Sequence, residues 1–192
     1  ERPARGKVGG RGRAMSALDL SVLVVSWNTR DLLRDCLRSV LQTLEGVSLE
    51  VIVVDNASSD GSAIMVREEF GSDRRIRLIA NPANEKFARG NNQAFAVSRG
   101  QFLAIVNSDV RFTGPALRQM MEYLRAHPRV GIAACDLVGT DGVSQSAHRA
   151  FPTLPITFFV WTRVGRRIDS WFLGGLARKR YLLANRRRTG VA

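Results

Sequence analysis

The chain has 192 residues, enough for one domain with a buried core, and its 45% hydrophobic and 24% charged content is ordinary for a soluble globular protein. No apolar run approaches the roughly 18–20 residues of a membrane span, and the opening stretch ERPARGKVGGRGRA has no apolar segment of the kind a secretory signal requires. The net charge of +12 is confined to the two ends: residues 1–14 carry a net +4, residues 163–192 a net +8, and residues 15–162 balance to zero. A core that binds nucleic acid would carry its own basic face, so no nucleic-acid partner is expected.

The ordered pattern starts after Met15, and residues 1–17 are expected to be a basic, disordered extension. LSVLVVSW (20–27) is a continuous apolar run of strand length, typical of a strand covered on both faces. TRDLLRDCLRSVLQTL (29–44) places Leu32, Leu33, Cys36, Leu37, Val40, Leu41 and Leu44 at helical spacing, with Asn28 and Asp31 suited to an N-cap and third-turn-residue pair. EVIVVD (50–55) predicts a second buried strand, SDGSAIMVREEF (59–70) a helix with Asp60 near its start, and IRLIA (76–80) a third strand. EKFARGNNQAFAVSRG (85–100) predicts a weaker helix and QFLAIVN (101–107) a fourth strand. TGPALRQMMEYLRAHP (113–128) predicts a helix capped by Thr113, with His127 at its end. VGIAAC (130–135) predicts a fifth strand, and DLVGTDGVSQ (136–145) a hairpin about Asp141 and Gly142. From residue 151 aromatics mix with arginines and no regular element is predicted.

Strand–helix alternation makes this an α/β chain, a mostly parallel sheet with helices on both faces. In such sheets ligands bind beyond the carboxyl ends of the strands. Three strand ends are polar there: Ser26, Trp27 and Asn28; Asp55, Asn56 and Ala57; Asn107, Ser108 and Asp109. Each alone is an ordinary turn or cap; the set points to a site. The first strand–helix turn, SWNTRD, lacks the glycines of a dinucleotide fingerprint, and no phosphate-binding glycine loop or nucleophile elbow is present. Phosphate bound here would need another neutralising group, and a divalent cation on Asp109 would serve, since Mg²⁺ and Mn²⁺ are often held by one or two carboxylates plus substrate phosphates. Equally, Asp109 could simply start the turn into the next helix. Cys36 and Cys135 form no CxxC pair and read as free thiols of a reducing compartment. Neither His127 nor His148 has a neighbour at zinc-ligand spacing.

LSVLVVSWNTRDLLRDCLRSVL, EVIVVDNASSDGS, NPANEKFARGNNQAF, FLAIVNSDV and FPTL resemble, in order and spacing, the inverting glycosyltransferases of family 2, in particular the rhamnosyltransferase-like members, from about residue 20 to about residue 160. The resemblance implies a GT-A fold, a nucleotide-diphosphate sugar donor (dTDP- or UDP-linked) and a divalent metal, Mn²⁺ or Mg²⁺. It implies that Asp55 contacts the nucleotide base, that Ser26, Trp27 and Asn28 line the nucleoside, and that Arg89, Gly90, Asn91 and Asn92 lie beside base and ribose. Ala57 and Phe87 fall in the same matched stretches and join the donor-binding set. Asn107, Ser108 and Asp109 match the family's metal motif, with Asp109 as the ligand.

Three departures stand out. Lys86 occupies a position where the family usually has Gly, so its side chain either crowds the loop or reaches a phosphate. Asn107 and Ser108 replace commoner residues of the metal motif. Beyond residue 149 the sole acidic residue is Asp169, set among Arg166, Arg167 and Ser170, which suits a surface ion pair better than a base. On this resemblance residues 18–150 are a donor-binding domain, residues 151–192 begin an incomplete acceptor half, and the catalytic base is expected beyond Ala192. The expected acceptor is a cell-surface glycan or lipid-linked glycan, and the expected location cytoplasmic, with possible contact to the inner face of the membrane. The aromatic and basic residues after 157 suit either a membrane interface or a surface meant to pack against further chain. A non-catalytic nucleotide-binding remnant is the alternative to an enzyme, and a nucleic-acid binder acting through the basic ends a more distant one.

Overall fold

The computed structural model describes residues 18–139, 141–145 and 154–172. The basic extension, Arg149, the FPT of the last matched motif, the residues after 172 and the expected ion pair of Asp169 lie outside the described residues and side chains. The chain forms two compact units, the first ending at Ala133 and the second beginning at Ala134.

In the first unit β1 (Leu20–Ser26), α1 (Arg30–Thr43), β2 (Leu49–Asp55), α2 (Ser62–Phe70), β3 (Ile76–Ala80), α3 (Lys86–Val97), β4 (Phe102–Asn107) and α4 (Ala116–Ala126) follow one another. The four strands are parallel in the order β3-β2-β1-β4. Every residue of β1 and β2 is buried, as their unbroken apolar runs predict for central strands of a parallel sheet. Alternate side chains serve opposite faces. Val22, Val24, Val51 and Val53 pack with Leu33, Leu37 and Val40 of α1, Met65 and Val66 of α2, and Leu117 and Met121 of α4. Leu23, Val25, Ile52 and Val54 pack with Ala94 of α3. Burial of Leu33, Leu37 and Val40 contributes about 1.5–3 kcal/mol each. The expected parallel sheet with helices on both faces is therefore present.

Several local expectations need correction. Residues 130–135 form no strand. A strand exists through its ladder hydrogen bonds, and among the described residues this run has no neighbouring strand; Val130 N–H turns back to the His127 carbonyl, and Ile132 is 88% exposed. Helix α4 starts at Ala116, not after a Thr113 cap, because the Ala116 amide is already turned onto the Gly114 carbonyl and no side chain caps it. Its end is as expected: His127 is the C-cap, stacked on Tyr123 with ring centroids 4.1 Å apart. Asn28 and Asp31 do not cap α1; Asp31 pairs with Arg34 at 2.5 Å instead.

The second unit holds the expected hairpin, β5 (Leu137–Val138) against β6 (Ser144–Gln145), with Gly142 at φ 76° in its turn. It also holds two helices that the sequence pattern did not reveal, α5 (Leu154–Trp161) and α6 (Arg163–Phe172). The Thr162 hydroxyl accepts the Gly165 amide at 2.9 Å and so starts α6. Among the described residues no helix is long and apolar enough to cross a membrane.

At the amino edge of the sheet, buried Glu50 closes the structure. It accepts the Ser21 hydroxyl (2.7 Å), the Arg99 amide (2.5 Å) and the Arg99 guanidinium (3.1 and 3.2 Å). Burial opposes its ionised form, but the Ser21 and Arg99 hydrogen bonds outweigh it and hold the carboxyl below its usual value of 4.5. A depressed carboxylate contributes stability that is complete above the unfolded value and lost as pH falls through the folded one. Urea titrations should therefore show wild-type stability falling below about pH 4.5, while Glu50→Gln, less stable at neutral pH, loses that part of the pH dependence; parallel profiles would contradict this role.

Candidate functional site

Parallel pairing brings the three polar strand ends to one edge. In the ladder Ser26 lies opposite Asp55, and Val25 opposite Asn107. Three hydroxyls then run across the gap from β1 to β4: Ser26 Oγ to Thr29 Oγ1 (2.9 Å), and Thr29 Oγ1 to Ser108 Oγ (2.9 Å). Ser26 and Ser108 are buried, whereas Asn107 and Asp109 are exposed. Among the described residues Asp109 has no hydrogen-bond or ion-pair partner. Beneath it, the Cys36 thiol donates to the Asn107 carbonyl at 3.7 Å. Burial, with the Asp109 charge adding to it, pushes that thiol up to about 12, so it stays protonated and inert.

Asp55 is 2% exposed. One carboxylate oxygen accepts the Ser58 amide at 3.0 Å, and the other, Oδ1, is buried without a partner among the described residues. A buried acceptor left unmatched costs about 1–3 kcal/mol or more, a cost that a ligand donor would remove. A second buried acceptor lacks a partner among the described residues: Oδ1 of Asn91, a side chain whose amide nitrogen donates to the Phe87 carbonyl at 2.9 Å.

Helix α3 is drawn close to these strand ends because Gly90 has no side chain. A Cβ there would sit 3.0 and 3.1 Å from the methyls of Val25 and 3.5 Å from Val54, the residues just before Ser26 and Asp55. Phe87 and Arg89 project from the same helix and are exposed, with Arg89 paired to Glu85 at 2.8 Å. The loop between β3 and α3 is pinned by Asn81, which bonds Asn56 (2.9 Å) and exchanges two bonds with Gln93 (2.9 and 3.1 Å).

The turns at the strand ends are held in unusual backbone. Asn28, Ala57 and Lys86 are the non-glycine residues with positive φ among those described, at 53°, 57° and 68°. Asn28 tolerates this region well and uses its side chain to accept the Ser59 amide at 2.8 Å, which ties the β1 turn to the β2 turn. Asp60 completes that tie: it accepts the Arg30 amide at the start of α1 (2.8 Å) and the Ser62 amide (3.0 Å) and hydroxyl (2.6 Å) at the start of α2. Burial opposes its charge, but the Ser62 hydroxyl and the two amides outweigh it, and the carboxyl is held below its usual range.

The structure thus gathers Ser26, Asn28, Asp55, Ala57, Asn107, Ser108 and Asp109 at one sheet edge, with Phe87, Arg89, Gly90 and Asn91 on the helix packed beside it. Trp27 is 56% exposed in the β1 turn. The sequence reading missed Thr29, the middle hydroxyl of the chain, and underrated Asp60; neither lies in a strand end, where polar residues draw notice. Among the described residues no three metal-ligating side chains cluster. Asp109 nonetheless fits a cation: it is an exposed carboxylate without a partner among those residues, of the hard-oxygen type that Mg²⁺ and Mn²⁺ share with substrate phosphates.

The sequence description of glycosyl transferase family 2 matches residues 21–177. The chain belongs to that family. It is 29% identical over 152 residues to the succinoglycan biosynthesis protein ExoO of Rhizobium meliloti, a match over 76% of this chain and 43% of that protein. It is also 29% identical over 105 residues to a putative teichuronic acid biosynthesis glycosyltransferase, TuaG, of Bacillus subtilis, over 55% of this chain and 41% of that one. Among solved structures it resembles the mannosyltransferase PcManGT of Pyrobaculum calidifontis in complex with GDP-Man and Mn²⁺, with a TM-score of 0.54 and 27% identity over 60% of this chain and 36% of that chain. Staphylococcus aureus TarS 1–349 in complex with UDP-GlcNAc shares the fold, with a TM-score of 0.52 and 22% identity over 58% of this chain and 32% of that chain. The fold is thus the GT-A-like α/β arrangement, and the chain spans less than half the length of each of these proteins.

The Lys86 backbone is one that suits glycine. Its φ of 68° costs a side-chain-bearing residue about 1–2 kcal/mol, part of which glycine recovers in spite of its looser unfolded chain. Lys86→Gly should stabilise the protein by about 0.5–1 kcal/mol, read as a higher urea midpoint at unchanged slope; a lower midpoint would show that the Lys86 side chain contributes contacts of its own.

Proposed function

We propose that residues 18–150 are the donor-binding part of a glycosyltransferase, which moves a sugar from a nucleotide diphosphate to a hydroxyl of a cell-surface glycan with inversion, and that residues 151–192 begin its acceptor half. The observation that carries this reading is the buried Asp55 Oδ1, without a partner among the described residues, on the sheet edge that also presents the exposed Asp109. A nucleotide offers what both lack: ring N–H donors for a buried acceptor at one end, and diphosphate oxygens that share a cation with Asp109 at the other. Family membership and the nucleotide sugars bound by the structural neighbours support it. A dTDP- or UDP-linked sugar is the proposed donor, and rhamnose remains the sugar favoured by the sequence motifs.

Asp55 would fix the base through a charge-assisted hydrogen bond. Asn91 would offer its open oxygen to base or ribose, and Ser26, Trp27, Asn28, Ala57, Phe87 and Arg89 would bound the nucleoside. Ser108, through the hydroxyl chain to Thr29, and Asn107, through the thiol bond to its carbonyl, would hold Asp109 in place. A divalent cation on Asp109, Mn²⁺ or Mg²⁺, would offset the charge of the departing diphosphate. In the transfer an acceptor oxygen bonds to the anomeric carbon as the bond to the diphosphate breaks on the opposite face, and a base takes the hydroxyl proton. That base is assigned to the portion of the relatives that this chain does not span.

Two substitutions separate the roles. In calorimetric titrations of UDP and dTDP, Asp109→Ala should abolish the gain that Mn²⁺ gives, leaving the affinity measured in EDTA. Asp55→Asn keeps the bond to Ser58 but lacks the charge, and should weaken nucleotide binding about 10- to 100-fold with or without metal. Unchanged affinities in both variants would sink the assignment.

A further inference from the structure

We propose that α6, carried on α5, is a docking element for the anionic surface of a lipid bilayer. Two stripes run along α6. Arg163, Arg166, Arg167 and Ser170 recur at helical spacing and line one shallow hollow. Val164, Ile168 and Trp171 recur at the same spacing one step on, and are 61%, 36% and 86% exposed. A third edge of the helix is spent on α5: Gly165 is buried, and a Cβ there would lie 2.1 Å from the Phe158 carbonyl. With that edge fixed against α5, the apolar stripe flanks it and the cationic stripe lies beyond, and both are exposed. The exposed Trp161 and Leu154 of α5 extend the apolar surface.

The combination selects the partner. A polyanion such as nucleic acid would satisfy the guanidinium groups and leave Val164, Ile168 and Trp171 in water. An apolar protein surface would bury the second stripe and desolvate the arginines. A bilayer interface accepts both at once: apolar side chains enter the acyl boundary, tryptophan favours the headgroup level, and guanidinium groups meet lipid phosphates. Complementary charge also comes from the whole segment 163–192, with its net +8. A surface-held enzyme would keep its donor site beside a lipid-linked acceptor, but the docking itself does not rest on the donor-site reading.

The test uses the full chain with Trp27→Phe and Trp161→Phe, so that Trp171 alone reports. It is mixed with vesicles of phosphatidylcholine, with or without phosphatidylglycerol. The expected result is co-sedimentation and a blue shift of Trp171 emission with the anionic vesicles alone, both diminished by salt. Replacing Arg163, Arg166 and Arg167 by Gln should weaken partitioning on the order of 100-fold, about fivefold for each arginine, while replacement of all three by Lys preserves most of it. Should the Gln variant fail to fold by circular dichroism, the Lys variant and the salt series still decide. Sedimentation without a blue shift, or with no effect of the Gln substitutions, would place binding on the basic ends and overturn the proposal. So would equal binding to neutral vesicles, a blue shift of the same size with duplex DNA, or no binding at all.

Discussion

Parallel pairing of β1 with β2 on one side and β4 on the other is the constraint on which the site depends. Parallel strands finish at the same edge, and the register sets Ser26 beside Asp55 and Val25 beside Asn107. Both faces of β1 and β2 are apolar, so the polar residues at their start distinguish the register: Ser21 lies opposite Glu50 and donates its hydroxyl to it, and a slip of one residue would separate the pair. The core and this pair together determine where the polar strand ends stand. Buried serines, a buried aspartate and an exposed aspartate meet at one edge because the residues before them are held in two hydrophobic layers.

The turns beyond the strands need separate support, and they receive it from each other. Asn28 reaches the β2 turn, Asp60 reaches back to the start of α1, and Thr29 joins Ser26 to Ser108. Positive φ at Asn28, Ala57 and Lys86 shows backbone held in a conformation that side chains disfavour. Such strain persists where the surroundings fix it: the Asn28 side chain is held by the Ser59 amide, and Asn84 accepts the Lys86 amide. Asp60 is consequential despite its exposure, since one carboxylate caps two helices. The glycine contact of α3 with Val25 and Val54 sets the depth of the site on the other face.

Much of this was legible in the sequence. The valine-rich runs identify β1 and β2, and the polar triplets after them mark the edge where a ligand would sit. The family motifs singled out Asp55, Gly90, Asn91 and Asp109, and the structure gives two of them a physical peculiarity, a buried acceptor without a donor. What escaped notice depends on partners distant in sequence. VGIAAC has the composition of a strand, yet composition supplies no ladder, and the run stays irregular. Thr113 has the chemistry of a cap, yet the turn at Gly114 and Pro115 starts the helix later. Thr29 acts through Ser108, 79 residues away, and no local pattern announces that. Helix α6 was hidden because its arginines mask an apolar stripe that becomes visible on a helical projection.

The central claim is that the edge formed by Ser26–Asn28, Asp55–Ala57 and Asn107–Asp109 is one site that takes a nucleotide together with a cation. Paramagnetic relaxation tests it most directly. In amide-resolved spectra of the chain with UDP or dTDP, a small amount of Mn²⁺ should broaden the signals of residues 107–110 first, then those of the β1 and β2 turns, with nucleotide-induced shifts at 55–58 and 87–91. Broadening centred elsewhere, or nucleotide shifts that leave these three turns untouched, would contradict the account.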